Sequence, residues 1–358
     1  DLTNNRVVIV GPSGELEDNE FFTFDGSNLI VDTSYSLQIP VGESTERPDN
    51  PDTGQIRYNT SDKRYEGYNG SRWVPLGTGR SSITIGVGHG TNAIAWSEDD
   101  GDNWNPITNS SVIFDTIEAN GVGFNGRRWV VVGQGSTSHI AYSDDGIIWN
   151  NAENSTTFFT TPSFGDIGGY SVAGNNSLWV AGGSGLSNNM IYSRDGEHWT
   201  TVTSNPFSGI CHSIDYNNNI WVAVGGFSFL ATNTTIAYSY DGLNWYKAAG
   251  EEIFAFSGWS VKWNGKIWIA TGGSSELSLF YPDAYSIAYS YDGINWTGVE
   301  NSISLMYQVK AVEWNGGLFV ATGRAYTTLN SIITSEDGIT WTGRGRDFFS
   351  QNNNDGGG

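Results

Sequence analysis

The chain of 358 residues carries 38 acidic against 17 basic side chains, a net charge of -21, which excludes nucleic-acid binding, since that needs clustered Lys and Arg against phosphate. A single cysteine, Cys211, excludes an intramolecular disulfide framework, and no run of about eighteen apolar residues exists to insert into a membrane. With 47 Gly, 15 Trp, 17 Tyr and 17 Phe, the composition predicts many short strands and tight turns, and almost no helix.

Residues 1–80 read as a small β-rich module. Arg6-Val-Val-Ile-Val10 and Phe22-Thr-Phe-Asp-Gly-Ser-Asn-Leu-Ile-Val31 are short strands around turns. Strands this short, with one apolar face, need partner chains or a neighbouring domain to complete their burial, so self-association is expected. Further on, Gly54-Gln-Ile-Arg-Tyr-Asn59 is followed by Glu66-Gly-Tyr-Asn-Gly70. In these phrases and their order the segment resembles modules of bacteriophage tail fibres and other virion proteins. That resemblance implies a homotrimer, attached to other virion proteins through residues 1–80, on the surface of a virion.

From residue 81 the chain repeats, with a period suited to one propeller blade. Six copies of a box occur, at Ser97–Trp104, Ser143–Trp149, Ser193–Trp199, Ser239–Trp245, Ser290–Trp296 and Ser335–Trp341. Five share the form Ser-x-Asp-Gly-x-x-Trp, and in the second copy these are Ser143, Asp145, Gly146 and Trp149. The later copies place Asp195 with Trp199, Asp241 with Trp245, Asp292 with Trp296 and Asp337 with Trp341. Asp-Gly supplies the positive φ of a tight hairpin, Ser and Asp bond to turn backbone groups, and Trp reaches back into the core.

Upstream of five boxes stands a second hairpin, as in Phe124-Asn-Gly-Arg-Arg-Trp129 and Trp263-Asn-Gly-Lys-Ile-Trp268. Each is followed by a strand of small residues such as Val180-Ala-Gly-Gly183, where glycine permits close backbone approach. The unit is therefore four strands, and residues 81–351 are read as a six-bladed β-propeller, with 352–358 a flexible Asn/Gly tail. The fold class is all-β, a six-bladed propeller with a small β-rich N-terminal fibre-like module. The box resembles the Asp-box of sialidase-like propellers, whose usual form has one more residue before Gly, as only Ser97–Trp104 does. Blade one lacks a clear first strand. Asp347-Phe-Phe-Ser350 is the preferred closing segment, and the hairpin Glu66–Trp73 the alternative.

In a four-stranded blade both hairpin turns lie at one end, while the passages between second and third strands, and between blades, lie at the other. The turns are uniform and the passages vary, so the variable end is the expected binding face. Its candidate ligand-binding residues are Phe227, Phe229, Phe280, Tyr281, Asp283, Tyr285, Arg324 and Tyr326, beside passages carrying Phe158, Phe159, Phe254, Phe256 and Tyr307. Aromatic rings with nearby amides and hydroxyls suit a host-surface glycan or protein.

Catalysis is not expected. A sialidase needs clustered arginines at its site, whereas Arg127, Arg128 and Arg194 fall in turns, on the opposite face from Arg324. Glu251-Glu252 leaves a two-acid glycoside hydrolase open. The four histidines show no ligand spacing, so no metal or cofactor is assigned. The reading is a virion fibre protein binding a host surface; a secreted lectin-like propeller and a glycan-cleaving enzyme are the alternatives.

Overall fold

The computed structural model describes residues 6–10, 16–24, 29–31, 39–61, 64–68, 70, 73–76, 83–90, 92–99, 101–107, 113–114, 118–160, 167–185, 189–226, 234–250, 253–273, 285–324 and 330–345. The chain divides into two compact units, Asp1–Ser81 and Ser82–Gly358.

In the first unit Arg6–Val10, Leu16–Phe24 and Leu29–Val31 form one antiparallel sheet. Val41–Gly42, Ile56–Asn59, Arg64–Tyr68 and Trp73–Pro75 form a second. The period-two alternation of this second sheet is inverted. Arg57, Asn59 and Glu66 are buried, whereas Val41, Ile56 and Tyr65 are 55%, 48% and 55% exposed. Glu66 Oε2 lies 2.6 Å from Arg47 Nη2 and accepts from Asn59 Nδ2 at 3.0 Å, with Arg57 Nε 3.5 Å from Oε1. Burial pushes the Glu66 carboxyl up, but Arg47, Asn59 and Arg57 hold it below the usual range. Tyr68 pairs with Trp73 inside this sheet, so the Glu66–Trp73 hairpin is part of the first unit.

The described residues of the second unit form six consecutive antiparallel sheets, the fifth and sixth joined edge to edge into one eight-stranded sheet by the pairing of Gly273 with Gln308. The first has three strands, Thr84–Val87, Ile94–Ser97 and Asn105–Pro106. Each later sheet has four, with first strands Glu118–Phe124, Gly169–Gly174, Cys211–Asn217, Ser257–Trp263 and Gln308–Trp314. These first strands pack side by side in sequence order, and a hydrophobic cluster fills each of the five spaces between neighbouring sheets. The result is a propeller-like array with the first strands innermost. The second strands are small where they must be. A Cβ on Gly183 would strike Phe159, one on Gly272 would strike Phe254, and one on Gly323 would strike Met306.

The boxes close the third and fourth strands by one hydrogen-bond pattern. In the fifth, Ser290 Oγ donates to Asp292 Oδ1 at 3.0 Å and accepts from Gly293 N–H at 2.9 Å. Asp292 Oδ1 then accepts the N–H groups of Ile294 and Asn295, both at 2.8 Å. The Trp296 indole N–H donates to Gly293 C=O at 3.1 Å, and Gly293 takes φ +76°. The five short boxes bury their Trp; the longer first box does not, and Trp104 is 46% exposed. The extra residue before Gly101 alters the hairpin, and the indole lies over Gly86 instead.

Among the Asn hairpins, Asn264 Oδ1 accepts from Lys266 and Ile267 N–H, both at 2.9 Å. Asn218 and Asn219, at φ 51° and 60°, make the fourth sheet's turn a two-residue turn with both central residues left-handed.

Burial raises the carboxyls of Asp241 and Asp292, but the backbone N–H and side-chain amide of the following Asn, with the Ser hydroxyl, outweigh it and hold each at about 2. The Ser97 hydroxyl and the Asn103 amide groups hold Asp99 at about 2. Because an unfolded Asp titrates near about 3.9, these groups favour the folded state above that pH, and their contribution fades between about 4 and about 2. Urea midpoints are therefore expected to stay level from pH 7 to 5 and fall below pH 4. Asp292→Ala, which leaves two exposed backbone N–H groups to water, is expected to cost about 0.5–2 kcal/mol at pH 7; an unchanged midpoint would refute the role given to the box.

Candidate functional site

Of the sequence-derived candidates, Phe227, Phe229, Phe280, Tyr281, Asp283 and Tyr326 lie outside the described residues, as do Glu251, Glu252 and Asp347–Ser350. Tyr285 donates its backbone N–H to Ile253 C=O at 3.4 Å, and its ring fills the space over Gly298. Arg324 is not in a loop. It ends the strand Phe319–Arg324 and pairs with Gln308, because the ladder runs one step beyond Gly323.

The passage aromatics are corrected too. Phe158, Phe159, Phe254 and Tyr307 are buried. Phe159 and Phe254 press on the glycines of neighbouring second strands and belong to the packing between sheets.

The sequence does not mark the bulges on the innermost strands. All five described first strands of the four-stranded sheets carry a break in register, at Asn120, Tyr170, His212, Trp259 and Lys310. A bulge leaves one residue out of the ladder and re-aims its side chain. Four of these side chains touch in sequence. Ring centroids are 5.6 Å apart for Tyr170 and His212 and 4.2 Å for His212 and Trp259, and Lys310 Nζ lies 3.1 Å from the Trp259 centroid. Asn120 Nδ2 donates to Gly169 C=O at 3.1 Å. The arc sits toward the variable end, because each bulge falls at the second or third residue of its strand.

Two polar atoms of this arc, His212 Nε2 and Trp259 Nε1, are buried without a hydrogen-bond partner, as are Ser184 Oγ, Thr234 Oγ1, Trp268 Nε1, Ser286 Oγ and Thr322 Oγ1 elsewhere in the fold. Burial, with Lys310 nearby, pushes the His212 imidazole down to about 3, so the ring is neutral at pH 7. No alternating pattern announced these positions; only the mixture Asn, Tyr, His, Trp and Lys at one place in the repeat marks them.

Toward the turn end the same strands enclose a cavity of about 360 Å³ whose wall includes Ser171, Ser213, Ser260, Asp215, Lys262 and Glu313. The serines fasten successive sheets. Ser171 Oγ accepts from Ile214 N–H at 3.0 Å, Ser213 Oγ from Val261 N–H and Ser260 Oγ from Val312 N–H, both at 3.3 Å. Asp215 Oδ2 accepts from Trp263 N–H at 3.2 Å, and Lys262 Nζ lies 2.9 Å from Glu313 Oε2. Burial pushes the Asp215 carboxyl up against the opposing pull of Lys262. For Lys262, burial is outweighed by Glu313 and Asp215, which raise its pKa. Among the described residues no group of three or more His, Cys, Asp or Glu is placed to hold a metal ion. Burial pushes the Cys211 thiol up, so it is a packed core group and not a nucleophile.

No protein-family model matches the chain, and no curated protein matches it. Among solved structures, a chain of a nidogen/laminin complex is similar over 71% of this chain and 89% of its own length, with 10% identity and a TM-score of 0.46.

Lys262 stands between two carboxylates that repel when it is removed. Lys262→Met is expected to lower the urea midpoint at pH 7, by about 1 kcal/mol or more, and to lower it less at about pH 3, below even the ordinary carboxylate value from which burial raises Asp215. An equal loss at both pH values would contradict this arrangement.

Proposed function

We propose that the chain is a non-catalytic attachment protein of a virus particle, whose propeller binds a host-surface protein or glycan at the variable end. The observation that carries this reading is the bulge arc. The side chains that repeat from sheet to sheet are consumed in turns and staples, whereas Tyr170, His212, Trp259 and Lys310 differ from one sheet to the next and meet near the axis. Specificity resides where a scaffold repeats its backbone and not its side chains.

The virion setting rests on the resemblance of Gly54–Asn59 and Glu66–Gly70 to tail-fibre modules. A six-bladed ring closed by residues 347–350, and kinship with Asp-box propellers, belong to the same reading. The first unit supports self-association, here as a homotrimer. Val41, Ile56 and Tyr65 face outward, beside a groove of about 530 Å³ lined by Pro40, Val41, Ile56 and Trp73. Residues 1–80 then join the trimer to other virion proteins.

Binding of the full chain to host cells, protein arrays and glycan arrays tests the proposal. Trp259→Ala and Lys310→Ala are expected to weaken binding about tenfold or more. Absence of binding to every surface would overturn it, and release of sugars from a bound glycan would replace it with the enzyme reading. By light scattering the full chain is expected to have the mass of three chains, and Ile56→Asp that of one; a monomeric wild type would remove the trimer.

A further inference from the structure

The arginines that argue against a sialidase site remain without a role. Arg127, Arg128 and Arg194 converge at the turn end, on a cleft of about 500 Å³ shared by the second and third sheets. That volume falls in the range of small-ligand sites. Asn125, Asn176, Trp179, Asp195 and Glu197 complete its wall.

The three guanidinium groups are not equivalent. Arg128 is locked. Its Nε donates to Asp144 Oδ1 at 2.7 Å, and its Nη1 donates to Glu197 Oε1 and to Asp195 C=O, both at 2.6 Å. Its guanidinium lies 4.6 Å over the Tyr142 ring, and its pKa rises through Asp144 and Glu197.

The cleft's acids are thereby engaged. Asp144 and Glu197 are held by Arg128. Asp195 accepts the N–H groups of Glu197 and His198 at 2.8 and 2.9 Å, with His198 Nδ1 2.7 Å from its other oxygen. Arg127 and Arg194 line the same cleft, exposed, and among the described residues neither guanidinium makes a hydrogen bond or salt bridge, although the Arg127 charge helps to lower the pKa of Asp144. The Asn176 amide stands with them.

These positions are particular to two sheets. Where the third sheet has Arg194 between the box Ser and Asp, the fourth and fifth have Tyr240 and Tyr291 and the sixth Glu336. Where the second sheet has Arg127 in its first hairpin, the fifth has Lys266 and the sixth Gly317. The hairpins need neither arginine, since Asn125 Oδ1 and the Ser193–Asp195 pair satisfy the turns.

From this geometry we infer a second ligand site, separate from the axial arc, in which Arg127 and Arg194 grip an oxyanion with Asn176 as an added donor. Guanidinium groups carry donors alone, in a fork that matches the paired oxygens of a carboxylate, sulfate or phosphate. The locked Arg128 keeps the neighbouring carboxylates from capturing its two companions. On a chain of net charge -21, such a cleft is where an anionic group meets least opposition.

The test uses the full chain with ¹⁵N-labelled arginine, the Nε–H signals being assigned through Arg127→Gln and Arg194→Gln. Sodium sulfate, sodium phosphate and sodium glucuronate are titrated separately, against sodium chloride at matched ionic strength. Saturable shifts of the Arg127 and Arg194 signals, with Arg128 unmoved, are expected. Each single variant is expected to lose about tenfold in affinity, and the doubly substituted chain all saturable binding. The anion bound most tightly identifies the group carried by the ligand. Shifts that chloride reproduces, or binding that survives the double substitution, would overturn the assignment. Host-cell binding does not enter this result, so the site stands or falls independently of the attachment reading.

Discussion

A buried serine hydroxyl in each short box is the contact on which the second unit depends. In five sheets it bonds the Asp carboxyl and the glycine N–H together. This fixes the hairpin that sends the Trp back between sheets. Since the Trp belongs to the cluster joining two neighbours, a local turn sets a long-range packing distance. Passage segments add to this: Glu153, Ser204 and Ala249 each bridge to the box of the following sheet. Turn chemistry and packing between sheets are thus one constraint, repeated.

The repeat made the array legible, because Asp-Gly, Asn-Gly and a following Trp are rigid demands that few other arrangements meet. The length of the box mattered more than its resemblance. In Ser97–Trp104, the copy with one added residue and, among the described residues, no preceding sheet of the second unit, the indole of Trp104 stands half outside, although that copy alone has the spacing usual in Asp-box propellers.

Other features were hidden for physical reasons. A bulge removes one residue from the ladder without requiring glycine, so Tyr170, His212 and Trp259 look like any strand residues. The burial of the passage aromatics has no local signal, because Gly183 and Gly272 open space for Phe159 and Phe254 from a different strand. In the first unit the alternation Ile56-Arg57-Tyr58-Asn59 is plain, but its sense is reversed by the bonds that Glu66 makes. Alternation reports two faces and does not say which is inside.

The five bulge residues have a consequence for change over time. A residue in a ladder answers to its cross-strand partner, and a residue in a core answers to its neighbours' volume. Asn120, Tyr170, His212, Trp259 and Lys310 answer to neither ladder, since the register closes on both sides without them. Their identities are free of a cross-strand partner, one per sheet, and four of them adjoin one another across sheet boundaries. A row of side chains that no ladder partner constrains is thereby held on a repeated frame, and a change in one of the four that touch is felt by its neighbour through the ring contacts and not through the strands.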